Sequence, residues 1–225
     1  MTGGALRQAR TNAGMSQVEA SAALGVSQTL LSLMETGERT ITEAVALKAV
    51  TLLGVVPEEL PLSLNTRRSD DELAADLGML GYPGYAFHTA RPRNPAEVLL
   101  DALDRSDLDA RLVEALPWLP LRYPNMNWNW LTSETKLRNR QNRLGFVVSL
   151  AAIVAKRRAE CDVVRRLSSV LKMLEEARLA KNDTLCQESW PLAQRRFAHK
   201  SRTRLAAHWN LDTRLKEDDL AHLAA

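Results

Sequence analysis

Residues 16–37, which read SQVEASAALGVSQTLLSLMETG, constrain the fold of this chain more than any other segment. Ser16 occupies an N-cap position, and the glutamate three residues later completes a capping box. Gly25 stands after the first helix, where a backbone with positive φ is needed to end it. Ser27 then caps a second helix, and Gly37 ends that helix. The pattern predicts two short helices joined by a tight turn, which is a helix-turn-helix.

The apolar residues of this segment predict which helix faces are buried. In the first helix we expect Val18, Ala22 and Leu24 to form an apolar stripe. In the second helix the i, i+3 spacing selects Leu31 and Met34 as the inward positions.

Flanking helices extend the pattern on both sides. A first helix carrying Leu6, Arg7 and Arg10 precedes the motif, and a helix from Ile41 to Leu53 follows it. With these features, residues 5–60 resemble the helix-turn-helix domain of the lambdoid phage repressor and Cro family. The resemblance implies five helices, the short fifth one at residues 57–60. The other matching positions are Gly14, Ser16-Gln17, Glu19-Ala20, Gly25-Val26-Ser27, Glu35-Thr36-Gly37 and Leu53-Gly54-Val55.

The resemblance also implies which residues contact double-stranded DNA. The second helix of the motif lies in the major groove, and dimers read two half-sites about one helical turn, roughly 34 Å, apart. A homodimer on a palindromic operator is therefore implied. The implied base-contacting residues are Ser27, Gln28, Thr29, Ser32 and Leu33. The implied backbone-contacting residues are Arg10, Ser16, Gln17, Thr36 and Arg39.

Two departures from the family pattern weaken a single copy of this domain as a DNA binder. Leu33 stands where Arg, Lys or Gln is common, with Leu30 also expected to turn outward, and leucine can at best contact a thymine methyl. Residues 1–63 hold four basic and six acidic residues, a net charge of −2. Because DNA affinity comes largely from phosphate neutralisation, we expect the domain to need a second copy or help from the rest of the chain. The alternative is a helix-turn-helix that serves only as a protein interaction module.

The sequence changes character after residue 63, and we place a second, larger domain at residues 64–225. Its net charge is +5, and its apolar spacing is helical, so the whole chain is predicted to be all-α. We expect a helix from Ser69 to about residue 80, and a loop over residues 81–95. The remaining expected helices start at Asn94, at Ser106 and at Thr132 or Ser133, the last running to about residue 159 with a continuation over 160–181. The apolar run 144–155 is too short to span a bilayer and is expected to be the buried middle of that long helix.

Three stretches of the second domain are candidates for binding. The segment 116–131 is rich in aromatic residues, which often anchor an interface, although a core-capping loop is the alternative. Its candidate interface residues are Trp118, Tyr123, Trp128 and Trp130. The segment 136–148 carries Lys136, Arg140 and Arg143 on one side of a helix. This side is expected to face solvent, and the alternative is contact with DNA or with an acidic partner. The segment 194–204 is the densest basic cluster, and its candidate phosphate contacts are Arg195, Arg196, Lys200 and Arg202.

Other classes of function have no support in the sequence. No P-loop, GxGxxG, GxSxG or HExxH motif is present, so we expect no enzyme and no cofactor. Cys161 and Cys186 fit no metal or disulfide pattern, and the four histidines share no metal spacing, so no metal site is expected. The chain opens directly on an amphipathic helix without a signal peptide, which indicates a cytoplasmic protein.

These observations predict a dimeric, sequence-specific transcriptional repressor. The domain order, together with the YPNMNWNW stretch, is similar to that of antitoxins from bacterial toxin-antitoxin operons. That resemblance implies that the second domain binds a cognate toxin while the first represses the shared promoter. The alternatives are a phage-type or ligand-responsive regulator without a toxin, and an enzyme with a DNA-binding appendage.

Overall fold

The described part of the chain is mostly helical, which confirms the all-α prediction. The computed structural model describes residues 1–62, 68–86 and 91–220. Within these residues the exception is a two-residue parallel pair, β1 (Asp183–Thr184) and β2 (Leu211–Asp212).

Four α-helices and a short 3₁₀ helix form the N-terminal part, as the five-helix prediction requires. Each α-helix begins at a Ser or Thr whose hydroxyl accepts a backbone N–H, and α2 has the predicted capping box. Glycines with positive φ end α2, α3 and α4. The elements are α1 (Gly3–Asn12), α2 (Gln17–Leu24), α3 (Gln28–Thr36), α4 (Glu43–Leu53) and the 3₁₀ helix Pro57–Glu59.

The core of this part differs from the expected stripe on α2. Val18 is 59% exposed and Ala22 is also exposed, whereas Ala20 and Leu24 are buried. Ala20 and Leu24 are four residues apart and share a face, while Val18 lies roughly 200° around the helix from Ala20. The buried positions expected in α3 are confirmed, but Leu30 packs against the core and does not turn outward. The core consists of Leu6, Ala9, Ala20, Leu24, Leu31, Met34, Val45, Ala49, Leu53 and Val55.

The rest of the chain forms a second group of helices around α10. The elements are α5 (Asp70–Met79), a 3₁₀ helix Pro83–Tyr85, α6 (Pro95–Leu103), α7 (Ala110–Ala115), α8 (Trp118–Arg122), α9 (Trp128–Leu137), α10 (Gln141–Arg157), α11 (Cys161–Glu175), α12 (Leu192–Ser201), α13 (Arg204–His208) and a 3₁₀ helix Glu217–Leu220. The caps predicted at Ser69 and Asn94 are confirmed. Asp109, and not Ser106, caps α7.

The single long helix expected up to residue 159 is wrong, because the chain breaks at residues 138–140. Asn139 has φ 57°, and the amides of Asn139 and Arg140 donate back to the carbonyls of Lys136 and Thr135. This pattern is a Schellman motif, which ends α9 and lets α10 start in a new direction. A second such ending at Ala159, with φ 58°, separates α10 from α11.

Helix α10 is the centre of the second core, as expected for the apolar run 144–155. Trp209 packs over Gly145 so closely that a Cβ there would lie 2.4 Å from the ring. The indole Nε1 of Trp209 donates to Ser149 Oγ over 2.9 Å. The glycine therefore makes room for a buried tryptophan from the far end of the chain.

Asn94 joins the two groups of helices. Its Oδ1 accepts from Ala96 N and caps α6, while its Nδ2 donates to the carbonyls of Glu58 (3.0 Å) and Leu60 (2.8 Å). The carboxylate of Glu58 in turn accepts from Asn125 N over 2.9 Å. The N-terminal helices are thus hydrogen-bonded to the larger group through the segment 58–60. The domain boundary predicted at 63/64 lies outside the described residues.

Candidate nucleic-acid interface

Helix α3 has one buried and one open face. Leu31, Met34 and Glu35 are buried, and these positions share one side of the helix. Of the predicted base-contacting residues, Thr29, Ser32 and Leu33 lie on other sides of α3, while Ser27 and Gln28 lie at its N-terminal end. Ser27, Gln28 and Thr29 are exposed, and Ser32 and Leu33 are half-buried. The exposed polar residues are thus at the N-terminal end of α3, and Gln28 has the longest side chain among them.

The turn between α2 and α3 fixes the position of that N-terminal end. Gly25 has φ 72°, and Val26 N donates to Ser21 O over 3.0 Å. The ammonium of Lys48 on α4 donates to Leu24 O over 2.9 Å. A cation at the C-terminal end of a helix also interacts favourably with the helix dipole. Lys48 thus ties α4 to the turn, a role that the sequence analysis missed.

Glu35 is the polar centre beneath the motif. Its side chain is only 2% exposed and lies 2.6 Å from Arg10 Nε. Arg10 Nη2 and Gln17 Nε2 also donate to its Oε2, over 3.2 and 3.0 Å. Burial by itself would raise the pKa of Glu35, but the hydrogen bonds from Arg10 and Gln17 outweigh it and hold the pKa below its usual value. The network joins α1, α2 and α3.

This network changes the interpretation of two predicted backbone contacts. Arg10 Nη1 donates to Met15 O over 2.8 Å, so each nitrogen of the guanidinium is already a donor within the domain. The amide of Gln17 is likewise held by Glu35. The sequence could have predicted the burial of Glu35, because this residue follows the inward Met34 and shares its side of α3. A contact from either side chain to DNA stays a prediction.

The other residues predicted to contact the DNA backbone differ in whether their side chains already make hydrogen bonds or ion pairs within the chain. Ser16 Oγ accepts a hydrogen bond from Glu19 N and donates one to Glu19 Oε2. Thr36 Oγ1 donates within its own turn, to Leu33 O and to Glu38 Oε1. Arg39 is exposed and makes no ion pair with any described residue, and the same holds for Arg7. Arg7, Arg39 and Lys48 are therefore the basic residues of the N-terminal part that have no carboxylate partner among the described residues.

Two of the four candidate interface aromatics are buried, which corrects their interpretation as interface residues and agrees with the core-capping alternative. Tyr123 and Trp128 lie in the second core, and Trp118 and Trp130 are half-buried and pack against it. Tyr123 donates its hydroxyl to Leu80 O over 2.6 Å, and Trp128 Nε1 donates to Pro124 O over 2.9 Å. A contact from Trp118 or Trp130 to a partner stays a prediction.

The basic stretch 136–148 is also corrected at one position. Arg143 is fully buried and lies against Asp183 (2.7 Å) and Glu188 (2.8 Å). The acidic partner considered for this stretch is thus inside the chain itself. Arg140 pairs with the same two carboxylates, whereas Lys136 is exposed.

The basic cluster 194–204 divides into paired and unpaired residues. Arg195 donates to Glu188 O, and Arg202 lies 3.5 Å from Asp212. Arg196 and Lys200 are exposed on α12 and form no ion pair within the described part of the chain. Arg204 is also exposed and without an ion pair among the described residues, so Arg196, Lys200 and Arg204 are free to meet an outside anion.

Other kinds of site have little support in the structure. Among the described residues no group of three or more His, Cys, Asp or Glu side chains could hold a metal ion. Both cysteines are free, and burial raises the pKa of Cys186 to about 11, so its thiol is unreactive at neutral pH. His88 and His222 lie outside the described residues. No helix within the described ranges has the length and apolar character to cross a membrane.

Comparison with known proteins agrees with the geometry of the N-terminal helices. Residues 3–62, about a quarter of the chain, match the family model of a helix-turn-helix domain. No curated protein and no solved structure matches the chain. The match supports a helix-turn-helix domain at residues 3–62, and such a domain indicates a DNA-binding regulator.

Proposed function

We propose that this chain is a sequence-specific transcriptional repressor and not an enzyme. The observation that carries the proposal is the exposed N-terminal end of α3, where Gln28 and Thr29 are open to solvent and the helix is held by the Glu35 network. A Gln side chain reads adenine by a pair of hydrogen bonds in the major groove. Arg7, Arg39 and Lys48 supply positive charge for phosphates.

We propose that it binds as a homodimer, because one domain with net charge −2 and few basic residues outside ion pairs neutralises few phosphates. Leu52 and Val56 support a self-contact in the N-terminal part. Leu52 lies in the last turn of α4 and is 50% exposed, and Val56 lies three residues after that helix and is 51% exposed. Large apolar side chains left open to solvent are candidates for an interaction surface.

The proposal is tested by selecting binding sites from a pool of random DNA duplexes with the purified full chain. We expect a palindromic site to be enriched, with half-site centres about one helical turn apart. Leu52→Lys combined with Val56→Lys should give a monomer in sedimentation and lose the palindromic preference. A pool that shows no enriched sequence would refute sequence-specific binding.

We further propose that the regulator is the antitoxin and autorepressor of a toxin-antitoxin operon. The domain order supports this, as do two exposed apolar residues on α12, Leu192 (72% exposed) and Phe197 (61% exposed). Arg196 and Lys200 lie on the same helix without an ion pair among the described residues. A basic helix that exposes apolar residues suits a protein partner with acidic groups.

The antitoxin role is tested by expressing the neighbouring gene with and without this chain. We expect the neighbour to arrest growth alone, and to be harmless and retained on the purified chain when co-expressed. Phe197→Asp should abolish retention, while Leu137→Asp, a control at an equally exposed leucine on α9, should not. A neighbour that is harmless alone, or that is never retained, would refute this role.

A further inference from the structure

A polar cavity of about 670 Å³ lies between the α9–α10 junction, the segment 179–184 and α12. Pockets that bind small molecules measure about 300–1,000 Å³, so the cavity has the size of a ligand site. Leu179 is the apolar exception among the described residues that line it. The cavity is therefore suited to a polar molecule.

The acidic residues of the polar cavity are already neutralised by arginines of the chain. Asp183 pairs with Arg143 and Arg140, and Glu188 pairs with the same two arginines. Asp212 lies 3.5 Å from Arg202 and 2.8 Å from His199. These carboxylates have little attraction left for a cation.

Several donors in the cavity wall are unused. Lys181 is exposed and makes no ion pair or hydrogen bond with the described residues. Arg195 is held through Nη2 alone, and its Nε is buried without an acceptor. Arg140 Nε makes no hydrogen bond with the described residues, although it lies 3.7 Å from Asp104 Oδ1 and is partly neutralised by it. Buried N–H groups normally have a partner, so unused donors in a cavity wall indicate where a ligand supplies the acceptors.

We propose that the polar cavity binds a small polar molecule through a phosphate or carboxylate group, with Arg195 and Lys181 as the main anion contacts. A guanidinium and an ammonium that line the same cavity match an oxyanion with charge-assisted hydrogen bonds. Asn139, whose carboxamide makes no hydrogen bond with described residues, also lines the cavity and is available to the uncharged part of the ligand.

The test is calorimetric titration of the full chain with inorganic phosphate, citrate and adenosine monophosphate, in the absence of DNA. We expect at least one probe to bind with one-to-one stoichiometry. Tighter binding of phosphate or adenosine monophosphate would identify the ligand group as a phosphate, and tighter binding of citrate would identify it as a carboxylate. Arg195→Ala and Lys181→Ala should each weaken binding by about tenfold or more. Arg196→Ala is the matched control, since its side chain lies next to Arg195 in sequence but is exposed and outside the cavity.

Two outcomes would overturn the proposal. Failure of all three probes to bind at millimolar concentration is one, and undiminished binding by both cavity variants is the other. Lys181 is exposed, so Lys181→Ala is expected to fold and keeps the test decisive even if Arg195→Ala does not. Because the titration uses no DNA, its outcome is independent of the proposed repressor function.

Discussion

The guanidinium of Arg10 lies 2.6 Å from the buried carboxylate of Glu35 and joins the first helix of the motif domain to the third. Gln17 completes the arrangement from α2. One carboxylate thus holds the three helices that set the open face of α3. Its charge state is consequently linked to the stability of the domain.

We expect stability to fall in acid because of Glu35. The folded-state pKa of Glu35 is below its usual value, so its contribution is fully present above about pH 4.3, the unfolded pKa, and is lost as the pH falls through the folded pKa. Glu35→Gln should therefore be less stable than the natural chain at pH 7, with the difference shrinking below about pH 4. Urea denaturation across this pH range measures it, and a constant difference would contradict the assignment.

Arg10→Ala should lower the free energy of unfolding by about 3 kcal/mol, because it leaves a buried carboxylate unpaired. Arg7→Ala is the control, since Arg7 is exposed on the same helix and makes no ion pair with the described residues. We expect that control to change stability little. Equal effects of the two variants in urea denaturation would show that the Glu35 pairing is unimportant.

Replacing the two neighbouring glycines of α1 by alanine should change the stability of the chain in opposite directions. A Cβ at Gly3 would lie 2.2 Å from Met34 O, whereas a Cβ at Gly4 would meet open space. Gly3→Ala should therefore destabilise the chain by about 1–3 kcal/mol through overpacking. Gly4→Ala should stabilise it by up to about 1 kcal/mol, as expected for alanine replacing glycine in a helix. Thermal denaturation of both variants checks the close approach of α1 to the end of α3.

Gln28 and Arg39 should differ in how they affect DNA binding. Gln28→Ala should cost about 1–3 kcal/mol on the selected operator and little on random DNA. Arg39→Ala should weaken binding to both and reduce the slope of log affinity against log salt by about 1. Fluorescence anisotropy with the two duplexes at several salt concentrations separates these effects. If the Gln28→Ala variant keeps the full preference for the operator, Gln28 does not read the operator as we propose.

Arg143 should be essential to the second group of helices. Arg143→Ala leaves Asp183 and Glu188 without their buried partner, and we expect a loss of about 3–5 kcal/mol. Arg143→Lys should recover part of this loss, because lysine keeps the charge but not the planar fork that reaches both carboxylates. Urea denaturation compares them, and a stable Arg143→Ala variant would contradict the structural role.

The sequence by itself determined the elements whose signals are local. Ser16, Gly25, Ser27 and Gly37 specify the helix-turn-helix, because a capping hydroxyl and a glycine with positive φ act on their own neighbours. The same reasoning placed the starts of α5 and α6 at Ser69 and Asn94. Leu31 and Met34 were found by helical spacing.

Only the tertiary structure decided what each polar or aromatic side chain contacts. Arg143 and Lys136 look alike in a basic stretch, yet one is buried against Asp183, 40 residues away, and the other is exposed. Tyr123 and Trp128 belong to an aromatic segment with the composition of an interface but lie in the core, and Arg10 has the composition of a DNA contact but pairs with Glu35. Pairings over such separations depend on how helices pack, and helix packing is set by the whole core and not by any local pattern.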